Sequence, residues 1–286
     1  MTTPPAARPL TYATPAHDVA GWARRFDPMA MPILADTAAT LQSLRENEDE
    51  VDAHLLTETV AADPLLTLKL LSHVASLQRR SHFDTRGDIE TVTAALVMVG
   101  IAPFFRLFAD SSVVEDWLGD QPEALEGFRK VLIRAHRAAN FATAFAVHRM
   151  DHDVAVIREA ALLHDFTELL LWLHAPTLAL EIARLQAEDP ALRSVVAQER
   201  VLNIHLPDLQ QALMTQWRLP PLLVKITNAR QSESVQVRNV LLAIRLARHT
   251  SSGWDNPAIP DDIVEIASLL NMRIEPTWAL LRDIDE

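Results

Sequence analysis

The scarcity of glycine, combined with a helical spacing of apolar residues, most constrains the fold of this chain. Only 6 of the 286 residues are glycine, so the turn dipeptides of tight β-hairpins and the glycine-rich loops that hold nucleotide phosphates are missing. Apolar residues instead recur at steps of three and four, as in Ile89, Val92, Leu96 and Val99, which places them on one helix face. The sequence therefore predicts an all-α fold with short connections between packed helices.

Helix start and stop signals divide the chain into about a dozen helical segments. Asp63-Pro64 and Asp189-Pro190 are typical helix starts: Asp accepts hydrogen bonds from the first free amides, and Pro at the first position needs no amide partner. The predicted helices cover residues 32–45, 52–62, 64–77, 88–99, 121–149, 153–174, 176–188, 190–203, 206–217, 220–230, 234–250 and 260–271.

Changes in composition along the chain predict three segments. Residues 1–27 are rich in Pro, Ala and Thr and are expected to form an irregular arm. Residues 28–250 are expected to form one domain, with an N-terminal helical half (28–119) and a C-terminal half (120–250), followed by a helical extension over 251–286. Trp22 and Phe26 either anchor a partner or hold the arm against its own domain.

Composition and charge exclude several classes of function. The chain has no cysteine, which rules out disulfides, zinc–thiolate and iron–sulfur sites and thiol catalysis. Its net charge of −12 argues against nucleic-acid binding, which depends on neutralising phosphates. The alternative is that nucleic acid binds locally to the basic clusters Arg79–Arg86 and Arg129–Arg137, although such clusters are usually solvated helix faces. Neither a signal peptide nor a membrane span is predicted, so we expect a cytoplasmic protein.

A His–Asp pair, His164-Asp165, interrupts the apolar segment from Ala160 to Trp172. Polar groups in the middle of an apolar helix are costly to bury unless something satisfies them. Neighbouring residues on a helix point about 100° apart, so both side chains could reach one metal ion. The alternative is a buried polar pair hydrogen-bonded to other helices. His136, on an alanine-rich helix face, is a second candidate.

Several segments of the chain agree, in order, with the motifs of one known family. They are Met31-Pro-Ile-Leu34, Ala62-Asp-Pro-Leu-Leu-Thr-Leu-Lys-Leu-Leu71, Ile89–Gly100, Ala160-Ala-Leu-Leu-His-Asp165 and Trp217-Arg-Leu-Pro220. Over about 28–250 the chain resembles the HDOD domain, a bacterial signalling module related to the HD superfamily of metal-dependent phosphohydrolases. The resemblance implies an HD/HDOD-like multi-helix bundle and a role in signal transduction.

The resemblance also implies a candidate site, with one departure from an active HD centre. An active centre takes one His, a His–Asp pair and a late Asp as ligands, and His136, His164 and Asp165 match the first three places. The late place falls on Ile244-Arg245. Arginine has no lone pair to donate and repels a divalent ion. We therefore expect a vestigial pocket of His136, His164, Asp165 and Arg245, with no metal, cofactor or catalytic residue.

Two functions follow as hypotheses from this departure. The first is a non-catalytic regulatory module that binds a protein partner in trans, or a small ligand, with Arg245 forming a bidentate ion pair with Asp165. Arg245 in solvent at the helix edge is the alternative placement. The second function is a residual phosphohydrolase acting on a nucleotide or cyclic dinucleotide. Its fourth ligand would have to come from Asp255, Asp261 or Asp262.

Overall fold

The computed structural model describes residues 11–80, 89–189, 191–231 and 233–285. Within these ranges the regular elements are helices, and the only β-type pairing is an isolated bridge between Ile33 and Val113. The predicted all-α fold is confirmed. Among the described helices, none combines the length and apolar character needed to cross a lipid bilayer.

Seventeen α-helices occur in the described residues. They are α1 (Val19–Ala23), α2 (Ala35–Glu46), α3 (Ala53–Ala61), α4 (Pro64–Arg80), α5 (Val92–Val99), α6 (Ile101–Phe108), α7 (Val114–Leu118), α8 (Pro122–His148), α9 (Val154–Leu162), α10 (Phe166–His174), α11 (Pro176–Glu188), α12 (Ser194–Leu202), α13 (Leu206–Gln216), α14 (Pro221–Ile226), α15 (Val235–His249), α16 (Ile259–Leu270) and α17 (Ile274–Asp285).

The predicted helix over 153–174 is wrong in one respect: it is two helices. α9 ends at Leu162 and α10 begins at Phe166. The His–Asp pair therefore lies in a turn and not within a helix. The start expected at Asp189-Pro190 falls partly on residue 190, which lies outside the described residues, and α12 begins at Ser194.

The chain forms two compact units whose segments alternate along the sequence. Unit 1 comprises Met1–Arg129 and Phe166–Leu219, and unit 2 comprises Lys130–Asp165 and Pro220–Glu286. The boundaries expected near 119–122 and 251–260 fall inside unit 1 and unit 2 respectively. The units are therefore not consecutive halves, because the chain enters unit 2, returns to unit 1 at α10 and then re-enters unit 2 at α14.

In unit 1, the aspartate of the DPxLT-like motif links two segments. Asp63 is fully buried, and its Oδ1 accepts hydrogen bonds from the amides of Leu65 (2.9 Å) and Leu66 (3.0 Å) at the start of α4. Its Oδ2 accepts from the amide of Leu34 at 2.8 Å, just before α2. Burial raises the pKa of Asp63, although these hydrogen bonds oppose the shift. The aspartate of this motif therefore has a structural role: it caps α4 and also holds the residue that precedes α2.

Asp63→Asn is expected to lower the free energy of unfolding by about 1 kcal/mol. Asparagine keeps one acceptor oxygen for capping. Its NH2 group replaces the other oxygen and so faces a backbone amide that, in the wild type, donates a hydrogen bond to Asp63. Urea unfolding measures the change. Asp52→Asn is the matched control, because Asp52 makes a single exposed cap bond to Leu55, which asparagine reproduces. An equal effect of both substitutions would contradict the role assigned to Asp63.

The start of the described chain packs firmly on unit 1. Trp22 of α1 is fully buried and donates its indole Nε1–H to the carbonyl of Leu202 at 3.0 Å. Phe26 is also buried and packs edge-on against His174, with 5.2 Å between the two ring centroids. Of the two interpretations of these aromatic residues, the one in which they hold the arm against its own domain is confirmed. Residues 1–10 of the predicted arm lie outside the described residues.

In unit 2, aspartates of the C-terminal extension contact basic side chains of α8 and α15. Arg137 of α8 forms a bidentate ion pair with Asp285, both N–O distances being 2.7 Å. Arg245 of α15 pairs with Asp262 at 2.6 Å, and His249 contacts the same carboxylate at 2.5 Å. The extension is therefore an integral part of unit 2.

Candidate functional site

The His–Asp pair lies in a three-residue turn between α9 and α10. The last i→i−4 hydrogen bond of α9 runs from the amide of Leu163 to the carbonyl of Glu159 at 2.9 Å, and the amide of His164 instead donates to the carbonyl of Ala161, three residues back, at 3.4 Å. His164 and Asp165 follow, and the imidazole Nδ1 lies 2.9 Å from Asp165 Oδ1. Since an ionised carboxylate only accepts hydrogen bonds, Nδ1 is the donor of this pair.

Both oxygens of Asp165 are used by cations. Arg134 of α8 approaches Oδ2 with Nε and Nη2, both at 2.9 Å. Arg248 of α15 donates through Nη2 to Oδ1 at 2.7 Å. With His164 also on Oδ1, each carboxylate oxygen accepts two close N–H contacts. Charge-assisted bonds of this length are among the strongest that a carboxylate makes in a protein.

The arginines keep Asp165 ionised although it is buried. Burial alone raises the pKa of this carboxyl group, but the positive charges of Arg248 and Arg134 and the hydrogen bond from His164 outweigh it. Together they hold the pKa well below its usual range. Asp165 is therefore a carboxylate whose negative charge is already compensated by the protein.

The expected pair between Arg245 and Asp165 is wrong. Arg245 lies at 2.6 Å from Asp262 and at 2.9 Å from Glu265, both on α16. Arg248, three residues further along α15, takes the place beside Asp165. The reason is that α16 packs against α15 and supplies two acidic side chains to the nearer arginine. Arg245 is also not the solvated residue of the alternative placement.

His136 is not joined to the His–Asp pair by a contact. It has no hydrogen bond or ion pair to His164 or Asp165 in the described part of the chain. Burial lowers its pKa, and so does the nearby positive charge of Arg158. Arg134, which does reach Asp165, precedes His136 by two residues, so the two side chains leave α8 about 200° apart. The structure therefore brings together His164, Asp165, Arg134 and Arg248.

The donor set does not fit a divalent metal ion. No group of three or more His, Asp or Glu side chains within the described ranges has the arrangement needed to hold one. A metal at Asp165 would have to displace two permanently charged guanidiniums. Asp262, one of the three candidates for a fourth ligand, is occupied by Arg245 and His249. Asp255 and Asp261 are exposed and have no contact with Asp165 among the described residues.

Sequence reasoning missed the two arginines that contact Asp165. Arg134 belongs to the second basic cluster of the sequence, and Arg248 follows Arg245 by one turn on the same helix face. The signal that could have found them is an arginine within an otherwise apolar helix, which requires a carboxylate partner. The remaining arginines of the second basic cluster are also paired, Arg129 with Glu115 at 3.6 Å and Arg137 with Asp285. Of the first cluster, residues 81–88 lie outside the described residues.

An all-α fold with a His–Asp pair in a turn between two helices, backed by further helices that point charged residues at it, defines an HD-like domain. The model of the HDOD domain matches residues 31–233. This range is most of the chain, and the protein belongs to the HDOD family, as the resemblance of its motifs implied. The match ends before α15, so both Arg245 and Arg248 lie beyond it.

Solved structures with a similar fold have very different sequences. The MmoQ response regulator of Methylococcus capsulatus is 17% identical, with a TM-score of 0.63 over 88% of this chain and 98% of the other. A virulence factor of Campylobacter jejuni is 15% identical, with a TM-score of 0.57 over 89% of this chain and 94% of the other. No curated protein matches the chain. At these identities the likeness establishes the fold alone.

Proposed function

We propose that this protein is a metal-free, non-catalytic HDOD module that regulates bacterial signal transduction by binding a protein partner in trans. The observation that carries the proposal is the occupation of both Asp165 oxygens by Arg134, Arg248 and His164. The guanidiniums offset the buried carboxylate as a metal ion does in an active HD centre. Catalysis by a metal-activated water would need that ion.

The competing hypothesis of a residual phosphohydrolase finds less support. It requires His136, His164 and Asp165 to converge, with a fourth acidic ligand. His136 has Arg158 as its charged neighbour, and Asp262 is held by Arg245 and His249. The resemblance in fold to a protein described as a response regulator supports the signalling role. A domain without chemistry contributes to signalling through its surface, which favours a partner protein.

Metal analysis of the full chain, purified without chelator, tests this proposal. We expect only traces of manganese, iron and zinc, because the guanidiniums occupy the oxygens that a metal would need. We also expect no hydrolysis of bis(p-nitrophenyl) phosphate above that of His164→Asn. Asp36→Asn, a change to an exposed carboxylate of α2, is the control variant. Stoichiometric metal that His164→Asn removes and Asp36→Asn retains would contradict the metal-free site, and hydrolysis lost with that metal would show that the site is catalytic.

A further inference from the structure

The part of α8 that belongs to unit 2 carries apolar side chains that the described chain leaves exposed. Ile133 is 59% exposed and Val147 is 60% exposed. Ile133, the exposed Asn140 and Val147 follow one another at steps of seven residues, which is close to two helical turns. The three side chains therefore form one line along the helix, the α8 ridge. Isolated exposed apolar residues are ordinary, but this spacing is typical of a helix that pairs with another helix.

Met150, directly after α8, is a second and independent observation. Its φ is +56°, in the left-handed region that glycine or asparagine usually adopts at the end of a helix. The chain itself uses Asn203 and Asn271 in this conformation after α12 and α16. The Met150 side chain is also 83% exposed, so its apolar surface gains nothing from burial. A partner that covers Met150 would offset both costs.

The residues three positions after each ridge residue complete a helix-pairing pattern. They are the half-buried His136 and Thr143 and the exposed Met150. Together with the α8 ridge they give alternating steps of three and four residues, which is the spacing of a coiled-coil contact. An asparagine at one position of such a contact fixes the register of the two helices, and Asn140 occupies that position here.

We propose that the α8 ridge is the surface through which two copies of this chain pair, with their α8 helices antiparallel about a twofold axis between Asn140 and Thr143. Each residue then faces the residue equally far along the chain on the other side of the axis. Asn140 donates from its amide N–H to Thr143 Oγ1 of the second copy, which remains an acceptor while its hydroxyl hydrogen binds the carbonyl of Ala139. The facing pairs are Lys130 with Asp153, Ile133 with Met150, His136 with Val147, and Asn140 with Thr143.

Charge complementarity favours a second copy as the partner and sets its direction. Lys130 is exposed at one end of this face, and Asp153, half-buried, lies at the other. An antiparallel copy places each lysine opposite an aspartate, whereas a parallel copy would place like charges together, which is unfavourable. One surface that complements itself about a single axis is the requirement of a symmetric dimer contact. A different protein would not need this symmetry.

Sedimentation equilibrium of the full chain tests the pairing. The contact spans about 25 Å of one helix, which is small for a dimer, so we expect a monomer–dimer equilibrium with a Kd of about 100 μM. Physiological salt screens the repulsion between two chains of net charge −12 beyond about 8 Å. The average mass should rise above the monomer value of 31.9 kDa as the concentration passes the Kd. A chain that remains monomeric at about ten times that Kd would overturn the proposal.

Variants assign the pairing to the α8 ridge. Val147→Glu is expected to weaken it at least about tenfold, because it places a charge in the contact. Val264→Glu is the matched control: Val264 is a valine of α16 in unit 2 and is 53% exposed, so its replacement should leave the Kd unchanged. Equal pairing in the two variants would contradict the assignment to α8. Circular dichroism of each variant verifies that it is folded.

Introduced cysteines report the direction of pairing, since the chain has none of its own. In Ile133→Cys/Met150→Cys the two thiols of one chain are about 25 Å apart along α8, too far to form a disulfide within it. The antiparallel arrangement predicts covalent dimers of this double variant on mild oxidation and few from either single variant. An equal yield from Ile133→Cys alone would overturn the antiparallel register. Neither experiment depends on the metal content at Asp165, so failure here leaves the proposed function standing.

Discussion

Asp165→Asn is expected to lower the free energy of unfolding by about 3 kcal/mol at neutral pH. The substitution leaves the guanidiniums of Arg134 and Arg248 facing each other without a carboxylate between them. Breaking a buried ion pair from one side costs more than the pair contributes, because the remaining charge stays desolvated. The value is set at the lower end of the usual range because Arg248, 48% exposed, can regain water. Urea unfolding followed by circular dichroism measures it.

The effect of this substitution is expected to shrink in acid. The pKa of Asp165 is held well below its usual range in the folded protein, so its contribution is complete above the unfolded value of about 4 and is lost as pH falls below it. The difference between wild type and Asp165→Asn should therefore be largest at pH 7 and decline towards pH 2. Asp110→Asn breaks an exposed pair with Arg45 and is expected to cost under about 1 kcal/mol. A constant difference at all pH values would contradict the ionised state of Asp165.

Gly127→Ala is expected to destabilise unit 1 by about 2 kcal/mol, although alanine is the better helix former. Gly127 lies within α8, and a Cβ atom there would stand 2.4 Å from two ring carbons of Trp172. The indole is 7% exposed and has little room to move. Overpacking of this kind outweighs the gain of about 1 kcal/mol in helix propensity. Thermal and urea unfolding both report the change.

A second background tests whether Trp172 causes this cost. In Trp172→Leu the ring is gone, so Gly127→Ala should become neutral or stabilising by up to about 1 kcal/mol. The sign of the effect is thus expected to reverse between the two backgrounds. The same loss of stability in both would show that the close approach of Trp172 is not the reason for glycine at this position.

Local signals were sufficient to predict most helices. α4 begins at Pro64 and α11 at Pro176, as the positional preference of proline predicts. The break between α9 and α10 could not be predicted in this way, because Leu163–Asp165 contains neither glycine nor proline and continues an apolar pattern. At this break, Asp165 contacts Arg134 and Arg248, which lie 31 and 83 residues away in the sequence. Tertiary contacts at such separations leave no trace in local spacing.

The candidate site was predicted in part. His164 and Asp165 do form a pair, and an arginine of α15 does bind Asp165. The prediction chose Arg245 over Arg248 because family register alone suggested it, and the two lie one turn apart. What decides between them is the acidic face of α16, which pairs with Arg245. That helix lies outside the region where the chain resembles its family, so the family motifs contain no information about its acidic residues.

The C-terminal extension (251–286) contributes Asp262 and Asp285 to ion pairs of unit 2, so this unit extends beyond the region matched by the family model. The family model ends at residue 233, yet among the described residues ion pairs of unit 2 reach as far as Asp285. A fragment trimmed to the family region would lack Arg248, which pairs with Asp165. One trimmed after α15 would leave Arg137 and Arg245 without Asp285 and Asp262. Two arginines of unit 2 thus depend for their ionic partners on Asp262 and Asp285, which follow the region matched by the family model.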